Sequence, residues 1–181
     1  MQQNPGETRL TYWMQKMMKS ELMDVVDEND IVIGTAERSE IYSQKLRHRI
    51  VHVFLADADG KFCLQLRSKT MSFAPGHWAP SAGGHVKSGE TYKEAALREL
   101  EEELGITAEL TLLRKDFYSD LRGNKKFIAA FSAPSPGNIV INHEVEAVAF
   151  FGPEEIRRMI NDGEKFHPEL LFLLRLQFGI F

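Results

Sequence analysis

Residues 84–106 of this chain, GHVKSGETYKEAALRELEEELGI, combine acidic and apolar residues at spacings that restrict both the local fold and the chemistry. Glu99, Glu102 and Glu103 are three and four residues apart, so on a helix their carboxylates share one face. Another face is an apolar stripe that has to be buried, made by Leu97, Leu100 and Leu104. Gly105 is placed where a helix C-cap glycine belongs. The segment therefore predicts an amphipathic helix, over roughly residues 90 to 104, with an acidic edge.

Three carboxylates on one edge suit a hard divalent cation. Mg²⁺ and Mn²⁺ prefer oxygen ligands, retain bound water and share the oxygens of a substrate phosphate. A solvated helix face that binds nothing has the same composition, so the surrounding residues decide between the two interpretations. Gly83 and Gly84 precede the helix and allow a close approach of backbone to ligand, Glu90 opens the helix, and Arg98 adjoins Glu99. These neighbours favour a binding site.

The same segment matches the Nudix box, G-x5-E-x7-R-E-U-x-E-E-x-G-U, in which U is an aliphatic residue. The nine specified positions, spread over 23 residues, are Gly84, Glu90, Arg98, Glu99, Leu100, Glu102, Glu103, Gly105 and Ile106. The chain therefore resembles the Nudix hydrolase superfamily. This resemblance implies an α+β fold, the α/β/α sandwich with the box helix packed on a mixed central sheet and additional N- and C-terminal helices. It also implies a divalent cofactor, Mg²⁺ (or Mn²⁺), and hydrolysis of a nucleoside diphosphate linked to another group.

The resemblance assigns roles to individual residues. It implies that Glu99, Glu102 and Glu103, with the Gly84 carbonyl in some relatives, hold the metal, and that Arg98 orients a neighbouring glutamate. The general base is either Glu99 or a glutamate outside the box. For that outer glutamate, the segment INHEVEAVAFF offers two candidates, Glu144 and Glu146.

A phosphorylated substrate also needs positively charged or hydrogen-bonding partners. Arg67 ends a predicted strand and Lys69 follows it, where similar Nudix enzymes often place a phosphate-contacting arginine. Arg47 belongs to a basic cluster before the first core strand, and His85 directly follows Gly84. Each of these four residues is a candidate for substrate binding, with a solvated or packed side chain as the alternative.

A second similarity, to the isopentenyl diphosphate isomerase branch of the superfamily, covers roughly residues 23–160. It rests on VDENDIVIG, LRHRIVHVFLADADGKFCLQLR and PGHWAPSAGGHV. Isomerases of this type use a cysteine where this chain has Gly83, and strand glutamates near the positions of Asn124 and Lys126. His48 and His85 take the places of their metal-binding histidines. Because the acid–base pair is missing and the box is intact, we predict a hydrolase, with isomerase-like activity or a non-catalytic nucleotide-binding module as alternatives.

The remainder of the chain predicts one domain. A length of 181 residues with 43% hydrophobic content supports one good core. We assign residues 21–181 to it, with a hairpin over 22–36, a core over 49–162 and a C-terminal helix over 167–178. Residues 1–20 form an extension, partly helical or flexible. Its apolar face makes a homodimer plausible and consists of Trp13, Met14, Met17 and Met18.

Composition excludes several other classes of function. The net charge of −4 disfavours a protein that coats nucleic acid. The N-terminal MQQNPGETRL lacks the features of a secretory signal, and no apolar run approaches the roughly 20 residues of a membrane span. Cys63 is the single cysteine, which excludes an internal disulfide and fits a reducing compartment. We expect a cytoplasmic protein that acts on a small-molecule diphosphate, without a nucleic-acid or membrane partner.

Overall fold

The computed structural model describes residues 22–180. The predicted N-terminal extension, with the face that suggested a homodimer, lies outside these residues. The strands are β1 (Leu22–Val26), β2 (Val32–Glu37), β3 (His48–Ala56), β4 (Phe62–Arg67), β5 (Trp78–Ala79), β6 (Ala82–His85), β7 (Thr111–Ser119), β8 (Lys125–Pro134) and β9 (Val145–Phe151). The helices are α1 (Arg38–Ser43), α2 (Tyr92–Leu104), α3 (Pro153–Asn161) and α4 (Pro168–Phe178).

A mixed seven-stranded sheet forms the centre of the fold, with the strand order β5-β4-β3-β8-β7. Strands β6 and β9 pair additionally with β3 and β4. Strands β3 and β8 run parallel, from the pair His48 and Lys126 to the pair Ala56 and Pro134. The other pairings in this sheet are antiparallel. Strands β1 and β2 form a separate antiparallel hairpin.

Helices cover both faces of the central sheet, and strand β3 shows why. Successive side chains of a strand point to opposite faces, and both faces of β3 are apolar. Val51, Val53 and Leu55 belong to a core cluster with the buried residues of α2. Ile50 and Phe54 belong to a second cluster with buried residues of α3 and α4. This is the predicted α+β sandwich, and the prediction of fold class is confirmed.

Helix α2 begins later than the sequence pattern predicted. Its first residue is Tyr92, and Thr91 is the N-cap, whose hydroxyl accepts a hydrogen bond from the Glu94 backbone N–H. The Glu94 carboxylate accepts from the Thr91 N–H in return, at 2.8 Å. This capping box satisfies two N–H groups that would otherwise lack partners, so Glu90 lies in the preceding turn and not in the helix. Gly105 ends α2 in the left-handed conformation, at a φ of 65°, as predicted.

None of the helices within residues 22–180 is long and apolar enough to cross a membrane.

Candidate active site

A cavity of about 720 Å³ is lined by residues of the box and by residues of α1, β8 and α4. This volume lies within the usual range for small-molecule sites, roughly 300–1,000 Å³. The lining has two parts of different composition. We call one part the acidic wall, formed by Glu99, Glu102, Glu103 and Glu144. We call the other the basic wall, where the cations Arg38, Arg122 and Lys126 lie with Asp120 and Glu169.

The acidic wall depends on a close approach between strand β6 and helix α2. Strand β6 pairs antiparallel with β3, matching Gly83 with His52 and Gly84 with Val51. The Glu99 carboxylate lies directly against Gly84, and a Cβ atom on this glycine would be 2.3 Å from Glu99 Oε1. Only a residue without a side chain fits at this position unless Glu99 moves. The box glycine is therefore explained by packing against the box glutamate.

Glu103 is the most deeply buried carboxylate of the acidic wall, with 3% of its surface exposed. Its oxygen Oε2 accepts hydrogen bonds from Gln65 Nε2 at 2.7 Å and from the Gly83 N–H at 3.3 Å. Burial and the negative charge of Glu99 nevertheless raise the pKa of Glu103 to about 8. When Glu99 and Glu103 are both ionised, their carboxylates repel each other at a site that is poorly solvated. The arrangement favours a bound cation.

Arg98 connects the box helix to the turn before it. Its guanidinium donates to both oxygens of Glu90, at 2.8 and 2.9 Å, and to the His85 carbonyl at 2.9 Å. It also donates to Glu99 at 2.6 Å, and Glu102 lies 3.4 Å away. A planar guanidinium can hold several oxygen acceptors in fixed directions. Arg98 therefore fixes the position of Glu99, as its place in the box implies.

The three box glutamates do not converge as a ligand set in this arrangement. Within residues 22–180, no group of three or more His, Cys, Asp or Glu side chains is arranged to hold a metal ion. Glu99 is turned toward Arg98, Glu102 is exposed, and Glu103 is held by Gln65. The donors nevertheless fit Mg²⁺ or Mn²⁺ in kind, because carboxylate and carbonyl oxygens are the ligands these ions prefer.

The remaining predicted site residues divide between the cavity and the surface. Glu144, Arg67 and His85 line the cavity, together with Gly84 and Arg98. The Nε2 atom of His85 and the Tyr42 hydroxyl are 2.8 Å apart, and the Arg67 Nε–H donates to the Phe73 carbonyl at 3.3 Å. Three predicted residues do not line the cavity: Arg47, Lys69 and Glu146. Lys69 and Glu146 pair with each other at 3.2 Å, and Arg47 lies over the Phe117 ring and 3.9 Å from Glu28.

Three buried polar residues of the lining were not anticipated from the sequence. Glu169 of α4 accepts hydrogen bonds from His52 Nε2 of β3 and from Lys126 Nζ of β8, both at 2.8 Å. A signal was present, because His52 interrupts the apolar run IVHVFL, and Lys126 and Glu169 directly precede the apolar runs of KKFIAAF and PELLFLL. Buried polar side chains require partners, but such interruptions do not reveal which partner each residue finds.

Comparisons with known proteins agree with this fold. The model of the NUDIX domain family matches residues 46–174. An uncharacterized Nudix hydrolase from Yersinia pestis is 36% identical over 157 residues, or 86% of this chain and 85% of the relative. The uncharacterized Nudix hydrolase YfcD from Escherichia coli K12 is 35% identical over 162 residues, or 89% of this chain and 88% of the relative. The crystal structure of DR0079 from Deinococcus radiodurans superimposes with a TM-score of 0.76 at 29% identity, covering 87% of this chain and 99% of that one.

An intact run of box carboxylates beside a cavity, on this fold, defines a hydrolase that acts on acid anhydrides of phosphorus-containing compounds. The chain belongs to the Nudix family. The prediction of a Nudix-type pyrophosphohydrolase is thereby confirmed. The family activity is cleavage of the diphosphate linkage in nucleoside diphosphate derivatives, and Nudix hydrolases generally use divalent metals such as Mg²⁺ or Mn²⁺.

Proposed function

We propose that this chain hydrolyses the diphosphate linkage of a nucleoside diphosphate derivative or a related small organic diphosphate, in a reaction that depends on Mg²⁺ or Mn²⁺. The observation that carries this proposal is the pair of buried carboxylates, Glu99 and Glu103, beside Gly84 in the cavity lining. Burial, followed by the charge of Glu99, raises the pKa of Glu103 to about 8, and a divalent cation would relieve the repulsion between the two carboxylates. When bound, such a cation neutralises diphosphate oxygens and lowers the pKa of a bound water.

The protein residues have distinct roles in this proposal. Glu99, Glu102, Glu103 and the Gly84 carbonyl supply the metal ligands, and Arg98 holds Glu99 in the orientation from which it reaches the site. The general base is Glu99 or a glutamate outside the box. Glu144 is better supported than Glu146 for the outer role, because Glu144 lines the cavity and its negative charge raises the pKa of Glu103. Glu146 instead pairs with Lys69 away from the cavity.

Substrate contacts are proposed for two of the four candidates named from the sequence. Arg67 and His85 line the cavity, where each would contact a bound diphosphate. Burial holds the pKa of His85 well below its usual value. The neutral imidazole therefore binds through hydrogen bonds and not through charge. The positions of Arg47 and Lys69 outside the lining favour a structural or solvated role for both.

Replacement of Glu103 by glutamine tests the proposal. Release of phosphate and nucleotide is measured from a panel of nucleoside diphosphate derivatives, with Mg²⁺ and then with Mn²⁺. We expect Glu103→Gln to lower kcat by at least about a hundredfold, the size typical of losing one electrostatic contact to a transition state. Glu101→Gln is the matched control, since Glu101 is exposed on the same helix and does not line the cavity. Equal kcat values for Glu103→Gln and Glu101→Gln would rule out the metal-ligand role of Glu103.

We propose further that the chain belongs to the branch resembling isopentenyl diphosphate isomerase without sharing its chemistry. A Cβ atom on Gly83, where isomerases carry their cysteine, would lie 2.3 Å from His52 Nδ1 and 2.6 Å from the Val51 carbonyl oxygen. His52 is held in place by Glu169, so a cysteine does not fit without displacing it. Lys126, near the position of an isomerase glutamate, is likewise bound to Glu169.

Incubation with isopentenyl diphosphate distinguishes the alternatives. Proton and phosphorus NMR spectra report migration of the double bond and release of phosphate in the same sample. We expect no migration. Migration without phosphate release would favour the isomerase. Binding of nucleotides without cleavage of any member of the panel would favour the non-catalytic module.

We propose that residues 21–181 form the hydrolase domain and that residues 1–20 are an extension to it. The family match over residues 46–174 supports the first part. A chain that begins at residue 21 should keep the kcat/KM of the full chain, and a tenfold loss would contradict this boundary. Size-exclusion chromatography of both chains tests the proposed homodimer and the contribution of the extension to it.

A further inference from the structure

A buried ionic network joins three elements in the basic wall of the cavity. Its centre is Glu169, whose Oε2 accepts from His52 Nε2 and whose Oε1 accepts from Lys126 Nζ, each at 2.8 Å. The three residues are each only 6–7% exposed. The first contact joins residues that are 117 positions apart in the sequence, and the second joins residues that are 43 positions apart. We call this set the Glu169 network.

Stability alone does not account for the Glu169 network. A buried ion pair is expensive to desolvate, and apolar residues of similar volume are often neutral or stabilising in its place. The network is not enclosed in a core, because all three residues line the cavity. These side chains therefore border the space where a substrate binds.

Within the network, the N–H groups of Lys126 can serve an anionic ligand, whereas the free ring nitrogen of His52 can only accept a hydrogen bond. A carboxylate only accepts hydrogen bonds, so His52 must donate from Nε2 to Glu169. The other ring nitrogen, Nδ1, is buried and has no hydrogen-bond partner among the described residues. It points toward Gly83, beside the box, as its 2.3 Å distance from a Cβ position there shows. Lys126 carries three N–H groups, of which the contact with Glu169 uses one.

The charge of the basic wall favours an anion. Arg38, Arg122 and Lys126 oppose two carboxylates, Glu169 and Asp120. Asp120 is engaged locally, since it accepts from the Asn124 amide at 2.7 Å and from the backbone N–H groups of Arg122 and Asn124 at 2.9 Å. Lys126 balances Glu169, and Asp120 is held by the Asn124 amide and two backbone N–H groups, so the guanidinium groups of Arg38 and Arg122 lie beside these pairs in the cavity lining. A phosphate group matches these donors in charge.

We infer that Lys126, held by Glu169, binds the terminal phosphate of a substrate in which one end of the diphosphate is free. A terminal phosphate carries a charge of about −1.5 to −2 at neutral pH, more than a phosphate esterified at both ends. It is therefore the stronger ligand for the cationic groups of Arg38, Arg122 and Lys126 in this part of the lining. The identity of the substrate rests on the proposed function, whereas the binding of phosphate at Lys126 does not.

Binding of inorganic phosphate without divalent metal tests the anion site directly. Affinity is measured by titration calorimetry with a chelator present and at constant ionic strength. The variants are Lys126→Met and Lys126→Gln, of which the second can still donate a hydrogen bond to Glu169 while lacking the charge. Lys125→Met is the matched control, an exposed lysine on the same strand that does not line the cavity. Circular dichroism and urea unfolding verify that each variant is folded.

We expect both Lys126 variants to bind phosphate at least tenfold more weakly than the wild type, and Lys125→Met to bind it with unchanged affinity. Glu103→Gln should also bind phosphate normally, although it is expected to be inactive. Equal affinity of the wild type and folded Lys126→Gln would overturn the inference. So would the lack of saturable phosphate binding by the wild type.

A comparison of substrates tests the assignment to a terminal phosphate. With Mg²⁺, kcat/KM is measured for a nucleoside diphosphate and for the same nucleotide esterified at its terminal phosphate. Lys126→Gln should raise KM at least tenfold for the free diphosphate and change it little for the esterified one. An equal loss with both substrates would overturn the assignment. If the wild type cleaves neither, the proposed function fails, and phosphate binding still decides whether Lys126 forms an anion site.

Discussion

Glu99 packs against Gly84 so closely that a Cβ atom on this glycine would lie 2.3 Å from Oε1 and 2.7 Å from Oε2 of the glutamate. The same Oε1 atom of Glu99 accepts a hydrogen bond from Arg98 at 2.6 Å. The carboxylate is thus confined between a strand backbone and a guanidinium. The glycine, the arginine and the glutamate of the box form one packed unit.

Replacing Gly84 by alanine should therefore displace Glu99. We expect kcat to fall at least about tenfold, and the free energy of unfolding to fall by about 1–3 kcal/mol because a methyl group is forced into a filled space. Activity assays and urea unfolding measure the two effects. Gly34→Ala is the control, since a Cβ atom there meets nothing within 4 Å. Retention of full activity by Gly84→Ala would show that Glu99 does not need its present position.

Arg98→Lys should lower activity although it preserves the charge. Lysine cannot reproduce the simultaneous bonds to Glu90, Glu99 and the His85 carbonyl, because its ammonium is a single point of contact. We expect a loss of roughly 10- to 100-fold in kcat/KM, as for other residues that orient metal ligands. Arg114→Lys is the matched control, since Arg114 also binds a carboxylate through two nitrogens, that of Asp116, without lining the cavity. Comparable losses in both variants would indicate a general effect of the exchange on stability.

Addition of Mn²⁺ should raise the melting temperature of the wild-type protein. A ligand present at 100 times its dissociation constant stabilises the folded state by about 2.7 kcal/mol. Glu99→Gln should remove most of this gain, because it deletes a charged ligand beside Glu103. Glu101→Gln, exposed on the same helix, should keep it. Differential scanning calorimetry at several Mn²⁺ concentrations makes the comparison. A concentration-dependent rise of the same size in both variants would place the bound metal elsewhere.

His48 should make the stability depend on pH. Its Nδ1 atom donates to the Leu46 carbonyl at 3.1 Å, and burial lowers its pKa from 6.5 to about 4. Below a pH of about 6.5, His48 becomes protonated in the unfolded chain but stays neutral in the folded protein until the pH approaches about 4. The contribution of His48 to the free energy of unfolding is therefore fully present above a pH of about 6.5. On the order of 3 kcal/mol of the free energy of unfolding is lost as the pH falls toward about 4.

The substitution His48→Asn isolates this contribution. Asparagine can keep a donor for the Leu46 carbonyl but does not titrate. His167, whose pKa burial also lowers to about 4, is unchanged in the variant, so part of the pH dependence remains. We expect the free energy of unfolding, measured in urea at about pH 7.5 and about pH 4.5, to fall less steeply for the variant. Parallel pH profiles for the two proteins would mean that His48 is protonated equally in the folded and unfolded states.

The sequence by itself determined the box helix and the chemistry that the family performs. Glu99, Leu100 and Glu103 are close in sequence, and the period of a helix alone decides which of them share a face. The resemblance carried by the box implied the α+β class, and the local spacing placed Gly105 at the end of the helix. Such features depend on contacts between residues only a few positions apart, so their spacing is sufficient to predict them.

Only the tertiary structure decided which distant side chains meet. Glu144 lines the cavity while Glu146 does not, and Arg47 and Lys69 lie outside it, although the sequence offered these residues as equal candidates. His52 and Lys126 meet at Glu169 because β3 and β8 pair in parallel and α4 packs onto the same face of the sheet. Strand register and helix packing bring these residues together, and neither can be read from the spacing of residues along the chain.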